Sequence, residues 1–212
     1  YQPSRGLGDV YKRQVKFQTK PDEPYSIITT HIRFKENDAK QQQLSLGYMG
    51  VNLIYGAFYQ NDKPKKILKY LFDHIDKDAI EIDTINFQGP LFKDIDNRVL
   101  SLELVKLGMT DAVMFGPDGN NLLPAAELYR KNIIALRGRF RPVTIVNEDM
   151  YKQSLSIFQN ESENDDDETL VIFEMTLSNL KQTGEIDEKD FMDRARLLCS
   201  LGHTVMLSLI HI

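Results

Sequence analysis

Residues 111–144, DAVMFGPDGNNLLPAAELYRKNIIALRGRFRPVT, organise the predicted fold. The stretch begins with DAVMF, a short apolar run of the kind that a parallel sheet buries on both faces. A glycine turn follows, and after an excursion through Pro124 a second strand leads to three arginines at alternate positions. Further α/β units are predicted on either side of this stretch.

Predicted strands and amphipathic helices alternate along the rest of the chain. The strands are predicted at 26–34, 79–87, 169–176 and 203–207, and the helices at 64–75, 96–107, 147–158 and from Asp187 onward. Such alternation predicts parallel strands joined by crossover helices. The predicted fold class is therefore α/β, a mostly parallel Rossmann-like sheet with helices on both faces.

One apolar run resists assignment by period. Residues 47–59, GYMGVNLIYGAFY, contain three glycines, and their pattern does not separate a helix from a strand. We interpret the run as buried core, and the alternatives of a strand with a bend and of a helix both stay open. The polar residues before it, 35–43, are predicted to form a loop.

Both ends of the chain resemble translated sequencing adapters. The strings are PSRGLGDVYKRQ at residues 3–14 and LSLIHI at residues 207–212. Segments of this kind are set aside before a fold is inferred. Residues 1–14 and 207–212 are therefore predicted to be adapter-derived. Residues 15–206 are predicted to be a single α/β domain, a truncated fragment of a longer protein.

The composition of the chain limits the kinds of molecule that the protein is expected to bind. Acidic residues number 31 and basic residues 26, for a formal net charge of -5. An acidic chain is a poor candidate for nucleic acid, which binds chiefly basic side chains. No apolar run approaches the roughly 18 residues of a membrane span, and the single cysteine, Cys199, favours a reducing, cytoplasmic compartment. The sequence indicates no particular cofactor or oligomeric state.

The first candidate site is the glycine turn after DAVMF. Ligands of open parallel sheets bind beyond the carboxyl ends of the strands. There Gly116 and Gly119 would offer backbone N–H groups to a ligand, and Asp118 would act as a catalytic carboxylate. The alternative is an ordinary β-turn, with proline at its second position and glycine at its fourth. The turn lacks the glycine spacing of a dinucleotide or P-loop motif.

The second candidate site is the run of arginines. Arg137, Arg139 and Arg141 would point to one side of a strand, since alternate residues share a face. Guanidinium groups bind carboxylate and phosphate through paired hydrogen bonds. The stripe is thus a candidate anion-binding site, and the alternative is that these arginines pair with acids of the chain itself or face water.

The third candidate is Glu174, inside the buried strand VIFEMT. A buried carboxylate is costly unless it is paired or protonated. Glu174 is therefore either a catalytic general base or the structural partner of an arginine. The four histidines show no metal-ligand spacing, so no metal site is predicted, and Cys199 is interpreted as a core residue in a helix.

Residues 97–207 resemble an uncharacterised bacterial α/β family. Three strings carry the resemblance: NRVLSLELVKLGMTDAVMFGPDG, ELYRKNIIALRGRFRPVTIVNEDM and EMTLSNLKQTGEIDEKDFMDRARLLCSLG. Some members bear the names TonB-dependent receptor or nicotinate-nucleotide adenylyltransferase. The chain shows neither the many membrane strands of the first class nor the histidine-containing nucleotide motif of the second. The resemblance implies a bacterial cytosolic α/β protein and assigns no catalytic residue.

Two functions follow from these observations. In the first, the protein binds a phosphorylated or carboxylated small molecule through the arginines and the glycine turn, with Asp118 or Glu174 as the acid/base group. In the second, the protein is a non-catalytic assembly module whose arginines are held in internal salt bridges. Arginines that point into an open pocket would favour the first function, and arginines that each pair with an Asp or Glu of a neighbouring element would favour the second.

Overall fold

The structure is a computed structural model that describes residues 10–161, 168–181 and 184–209. The chain divides into two compact units, Tyr1–Thr110 and Asp111–Ile212. Each unit holds a β-sheet of its own. The two units are therefore described one after the other.

The first unit is built on a three-stranded antiparallel sheet with the order β1–β2–β3. Its elements in chain order are β1 (Val10–Phe17), β2 (Ser26–Phe34), α1 (Ala39–Tyr59), α2 (Pro64–Leu71), β3 (Ile80–Gln88), a 3-10 helix (Pro90–Phe92) and α3 (Asn97–Lys106). The strands predicted at 26–34 and 79–87 are confirmed to within one residue at each end. The helix predicted at 64–75 ends four residues earlier than expected.

Helix α1 occupies the apolar run whose period did not separate a helix from a strand. The carboxylate of Asp38 accepts hydrogen bonds from the backbone N–H groups of Lys40 and Gln41, at 2.8 and 3.4 Å. A cap of this kind satisfies donors that the first turn leaves free, so the helix begins inside the polar run predicted as a loop. Of the two alternatives the helix is the one observed, and the period did not indicate it because α1 is apolar on two faces.

One hydrophobic core holds the first unit together. Alternate residues of β2, among them Ile28 and Ile32, are fully buried and belong to the same core cluster as Met49 and Leu53 of α1 and Leu68 of α2. The helices thus cover the face of the sheet to which these strand residues point. Gly56 of α1 lies so close to α2 that a Cβ there would approach Ile67 Cγ2 to 2.7 Å.

The second unit is built on a five-stranded mixed sheet with the order β5–β4–β8–β7–β6. Its elements in chain order are β4 (Ala112–Phe115), β5 (Asn121–Leu122), α4 (Pro124–Glu127), β6 (Asn132–Arg137), α5 (Ile145–Glu161), β7 (Thr169–Thr176), α6 (Leu177–Lys181), α7 (Glu188–Ser200) and β8 (Thr204–Ser208). Strands β6, β7 and β8 are parallel, whereas β4 is antiparallel to both β5 and β8.

The prediction of a mostly parallel Rossmann-like sheet is wrong. The fold is a mixed α/β arrangement in which only β6, β7 and β8 run parallel, and the first unit has a purely antiparallel sheet. Alternation of strands and helices predicts crossovers, but it does not fix the direction of each strand. Here a short connection joins β1 to β2, and α1 and α2 together return the chain to an antiparallel β3.

The second unit has an aromatic core around β7. Phe115 of β4, Phe173 of β7 and Phe191 of α7 are fully buried. The ring of Phe115 lies 6.2 Å from that of Phe191, and the ring of Phe140 lies 5.2 Å from that of Phe173. As predicted, Asp187 caps α7, accepting hydrogen bonds from two backbone N–H groups of its first turn. The core therefore joins the sheet to the helix that precedes its central strand.

The segments that resemble sequencing adapters are described only in part. Residues 10–14 belong to β1, and residues 207 and 208 belong to β8. Residues 1–9 and 210–212 lie outside the described residues. Within the described ranges, the helices all fall short of the combined length and hydropathy that crossing a bilayer requires.

Candidate functional site

Glu174 and Arg137 form an ion pair near the carboxyl ends of the parallel strands. The two residues are neighbours in the register of β6 and β7, and Arg137 Nε donates to Glu174 Oε2 at 2.5 Å. Ser208 Oγ of β8 donates to the other carboxylate oxygen at 2.7 Å. Glu174 is only 2% exposed, so this buried carboxylate accepts from one buried donor, Ser208, and from the half-exposed Arg137. Two roles were considered for Glu174, and this contact supports the role of structural partner to an arginine.

Arg139 and Arg141 do not continue a stripe with Arg137, because β6 ends at Arg137. Arg141 Nε lies 3.2 Å from Asp190 Oδ1 of α7. Asp190 also pairs with Arg194, whose Nη1 donates to the backbone carbonyl of Arg139 at 3.0 Å. This second cluster ties the loop after β6 to α7, and its acid is not the one that Arg137 contacts.

The glycine turn 116–119 closes the hairpin between β4 and β5. Gly119 N–H donates to the carbonyl of Gly116 at 2.8 Å, and Gly119 has a φ of 78°. Backbone and side-chain hydrogen bonds from Asn120 hold the pKa of the exposed Asp118 carboxyl below its usual value. The turn is thus satisfied by its own residues, and Asp118 is an exposed, ionised carboxylate.

The turn and the Arg137–Glu174 pair lie at opposite ends of the strands. Because β4 is antiparallel to β8, Phe115 pairs with Val205 near the start of β8. Glu174 instead contacts Ser208 at the end of β8. The structure therefore does not bring Gly116, Asp118 and Gly119 together with Arg137 and Glu174.

A group of acids in the first unit was not among the predicted sites. Glu81 and Asp83 of β3 are both buried, and both face Arg33 of β2. Arg33 Nη2 donates to Glu81 Oε2, and Arg33 Nε lies 3.8 Å from Asp83 Oδ1. Thr110 Oγ1 donates to Glu81 at 2.7 Å. The available signal was the pair of acids two apart in the predicted strand AIEIDTINF, which places them on one face.

Asp83 is a buried carboxyl whose pKa is raised. Burial and the neighbouring Glu81 raise the pKa of Asp83 to about 6, although the positive charge of Arg33 lowers it in part. Among the described residues, none lies within hydrogen-bond distance of Asp83 Oδ2. A carboxyl in this state exchanges its proton close to neutral pH, which is a property of acid/base groups and also of buried ion-pair networks.

Asp83 makes the stability of the protein depend on pH. Its pKa rises from about 3.8 in the unfolded chain to about 6 in the folded one, so folding is favoured when the group is protonated. The resulting stability is present below pH 4 and is lost as pH rises through 6. We expect Asp83→Asn to be more stable than the wild type by about 1–2 kcal/mol at pH 7.5, and the gain to shrink as pH falls from 6 to 4 and to vanish near pH 3.

Urea denaturation of both proteins at several pH values measures this difference. The exposed Asp73→Asn serves as the control, since it removes a carboxylate outside the cluster. A gain for Asp83→Asn that stayed constant from pH 4.5 to 7.5 would show that burial of the Asp83 charge does not destabilise the fold.

A buried histidine and a half-buried carboxylate form a pair in the second unit. His203 Nε2 lies 2.6 Å from Glu148 Oε1 of α5, and the His203 ring packs 4.3 Å from Phe173 and 4.8 Å from Tyr151. The pair joins α5 to the residue that precedes β8. Because the two residues lie 55 positions apart, no local motif indicated it.

The described part of the chain contains no group of three or more His, Cys, Asp or Glu side chains placed to bind a metal ion. Cys199 is a buried free thiol in α7. Comparison with known proteins gave no match to a protein-family model, a curated protein or a solved structure. The resemblance to a bacterial family stays a prediction.

Proposed function

We propose that the protein is a non-catalytic interaction module whose binding surface is the exposed apolar face of α1. The observation that carries the proposal is a set of large apolar side chains that are each 38–72% exposed on this one helix. We call this set the α1 seam, and it comprises Leu44, Tyr48, Val51, Ile54, Tyr55, Phe58 and Tyr59.

The size of the α1 seam distinguishes it from scattered surface residues. At 100° per residue, its members fall within one arc of α1, so they form a continuous patch. An isolated aromatic side chain presents about 150–250 Å², so the four half-exposed aromatics alone leave roughly 400 Å² uncovered. Contiguous apolar patches of this size mark interaction sites.

The ion pairs of the second unit support the same function. Arg137 contacts Glu174, and Arg141 contacts Asp190. Arginines that pair with acids of their own chain contribute less to binding a carboxylate or phosphate ligand, because the ligand would have to displace those acids. The paired arginines therefore favour a structural role for this cluster.

Binding of a phosphorylated or carboxylated small molecule is the second candidate function. One observation favours it: the Arg137 side chain is 45% exposed despite its contact with Glu174. An anion reaching this face would meet a guanidinium whose partner is buried. The glycine turn would not take part, because it lies at the other end of the strands.

Thermal-shift measurements with inorganic phosphate and with citrate separate the two functions. We expect neither anion to raise the melting temperature of the wild-type protein beyond the shift given by chloride at equal ionic strength. An additional rise that is present in the wild type and absent in Arg137→Gln would contradict the interaction-module proposal and support anion binding at Arg137.

A further inference from the structure

We infer that the α1 seam binds a second copy of this chain, in a two-fold symmetric contact between the two α1 helices. The inference rests on the proposed function, which makes the α1 seam a protein-binding surface. Five properties of α1 support it: the spacing of its apolar residues, its second apolar face, its few charges, its surface relief and its exposed apolar area.

The α1 seam has the spacing of a helix–helix contact. Leu44, Val51 and Phe58 follow one another at intervals of seven, and Gly47 and Ile54 lie three positions after the first two of them. Positions related in this way form the a and d stripe that packs one helix against another. Helix α1 has 21 residues, which is three such repeats and about 31 Å of helix.

Helix α1 is apolar on two faces. Its buried face, which includes Met49, Leu53 and Ala57, packs into the core of the first unit. The α1 seam lies on the other side of the helix. A helix that is hydrophobic all round is normally covered on every side, so the seam needs a cover that the described residues do not provide.

The charge pattern favours a second copy as that cover. Lys40, in the first turn, is the only charged residue in the sequence of α1. A two-fold contact places equivalent residues of the two copies close together, so a charged seam would repel itself and an uncharged one does not. Helices that lie on membranes carry a strongly charged polar face, which α1 lacks.

The surface of the α1 seam carries both a protrusion and a recess, as a self-complementary contact requires. A groove of about 350 Å³ runs between β1 and α1, and its lining includes Arg13 and Val15 of β1 and Gly47 and Gly50 of α1. A Cβ built at either glycine would have no described atom within 4 Å. Beside this groove Val51 protrudes with 65% of its surface exposed, and the same residue of the other copy can enter it.

The area of the α1 seam is of the size that a stable pair needs. The four aromatic residues offer roughly 400 Å², and the exposed parts of Leu44, Val51 and Ile54 add to it. Each partner of a standard interface contributes about 800 Å². The α1 seam supplies most of this area, and the polar residues at its rim would supply the remainder.

Sedimentation velocity of the full chain over a range of concentrations tests the inference. We expect the wild type to sediment at twice the monomer mass, and Val51→Glu to weaken the dimer on the order of 100-fold or more, since it buries a charge beside its own copy. The matched control, Gln153→Glu, adds the same charge at an exposed position of α5, outside α1, and we expect it to leave the dimer intact.

A cross-linking measurement does not depend on how well Val51→Glu folds. Val51 lies midway between Leu44 and Phe58, so it approaches its equivalent in either orientation of two paired helices. We expect Val51→Cys to form an intermolecular disulfide on mild oxidation, and Lys66→Cys, an exposed position on α2, to form it at least 10-fold more slowly. The native Cys199 is buried.

The outcomes separate this inference from the proposed function. A wild type that stays monomeric at all concentrations, or a dimer that Val51→Glu leaves intact, would overturn the second copy as the partner. Either result leaves the interaction-module proposal standing, because that proposal fails on a different measurement, the Arg137-dependent stabilisation by phosphate or citrate.

Discussion

Gly89→Ala is expected to lower the free energy of unfolding of the first unit by at least about 3 kcal/mol. Gly89 ends β3 with φ 102° and ψ 178°, a conformation that only glycine adopts readily. A Cβ at this position would also lie 2.6 Å from the carbonyl oxygen of Tyr25 and 2.7 Å from Ser26 Cα. Both neighbours are backbone atoms, so the overlap cannot be relieved by rotating a side chain.

Relieving the overlap would require the backbone at Gly89 to move, and the contacts around Gly89 make that movement costly. Its carbonyl accepts a hydrogen bond from the N–H of Phe92 at 3.0 Å, and the N–H of Leu91 donates to Ser26 Oγ at 3.2 Å. Ser26 begins β2, and Phe92 belongs to the core of the first unit. Shifting Gly89 would therefore disturb the start of a central strand and the core at the same time.

Gly108→Ala is the matched control for this variant. Gly108 follows α3 with φ 67°, and a Cβ there would have no described atom within 4 Å. Only the cost of the left-handed backbone conformation remains, about 1–2 kcal/mol. Chemical denaturation of the two variants measures the difference, and equal losses would show that the contact of Gly89 with residues 25 and 26 is not tight.

Local chemistry in the sequence predicted most of the individual elements. The β-branched run at 26–34 forms β2, and Asp96 and Asp187 cap the helices that they were predicted to cap. Gly108 and Gly202 follow their helices with positive φ, which is the conformation that glycine allows at a helix end. Each of these features depends on residues within a few positions of one another.

The features that the sequence did not predict depend on distant residues. The direction of β4 is set by its pairing with β8, whose residues lie 90 to 96 positions later in the chain than their partners. That direction places the glycine turn away from Glu174. The predicted site residues are therefore apart for the same reason that the predicted fold class was wrong. Glu81 and Asp83 were passed over for a related reason: their burial depends on the tertiary structure, which strand periodicity does not report.

Arg137→Met is expected to cost about 2–4 kcal/mol, because it leaves the buried carboxylate of Glu174 with a weaker set of donors. Ser208 still donates to one oxygen of Glu174, whereas the charged donor to the other oxygen is lost. The exposed half of Arg137 is screened by solvent, so the expected cost lies below that of a fully buried pair. Urea denaturation at neutral pH measures the loss.

The double variant Arg137→Met/Glu174→Met decides what this loss means. Replacing both members of a buried ion pair with apolar residues of similar size is often neutral, so we expect the double variant to recover most of the stability that Arg137→Met loses. The stability losses of Arg137→Met and of Glu174→Met, measured separately, would then sum to well above the loss of the double variant. Such non-additivity is the signature of a direct contact. Additive losses would contradict the pairing. Recovery in the double variant would show that the fold tolerates an apolar pair here, and that the buried charge of Glu174 is what requires Arg137.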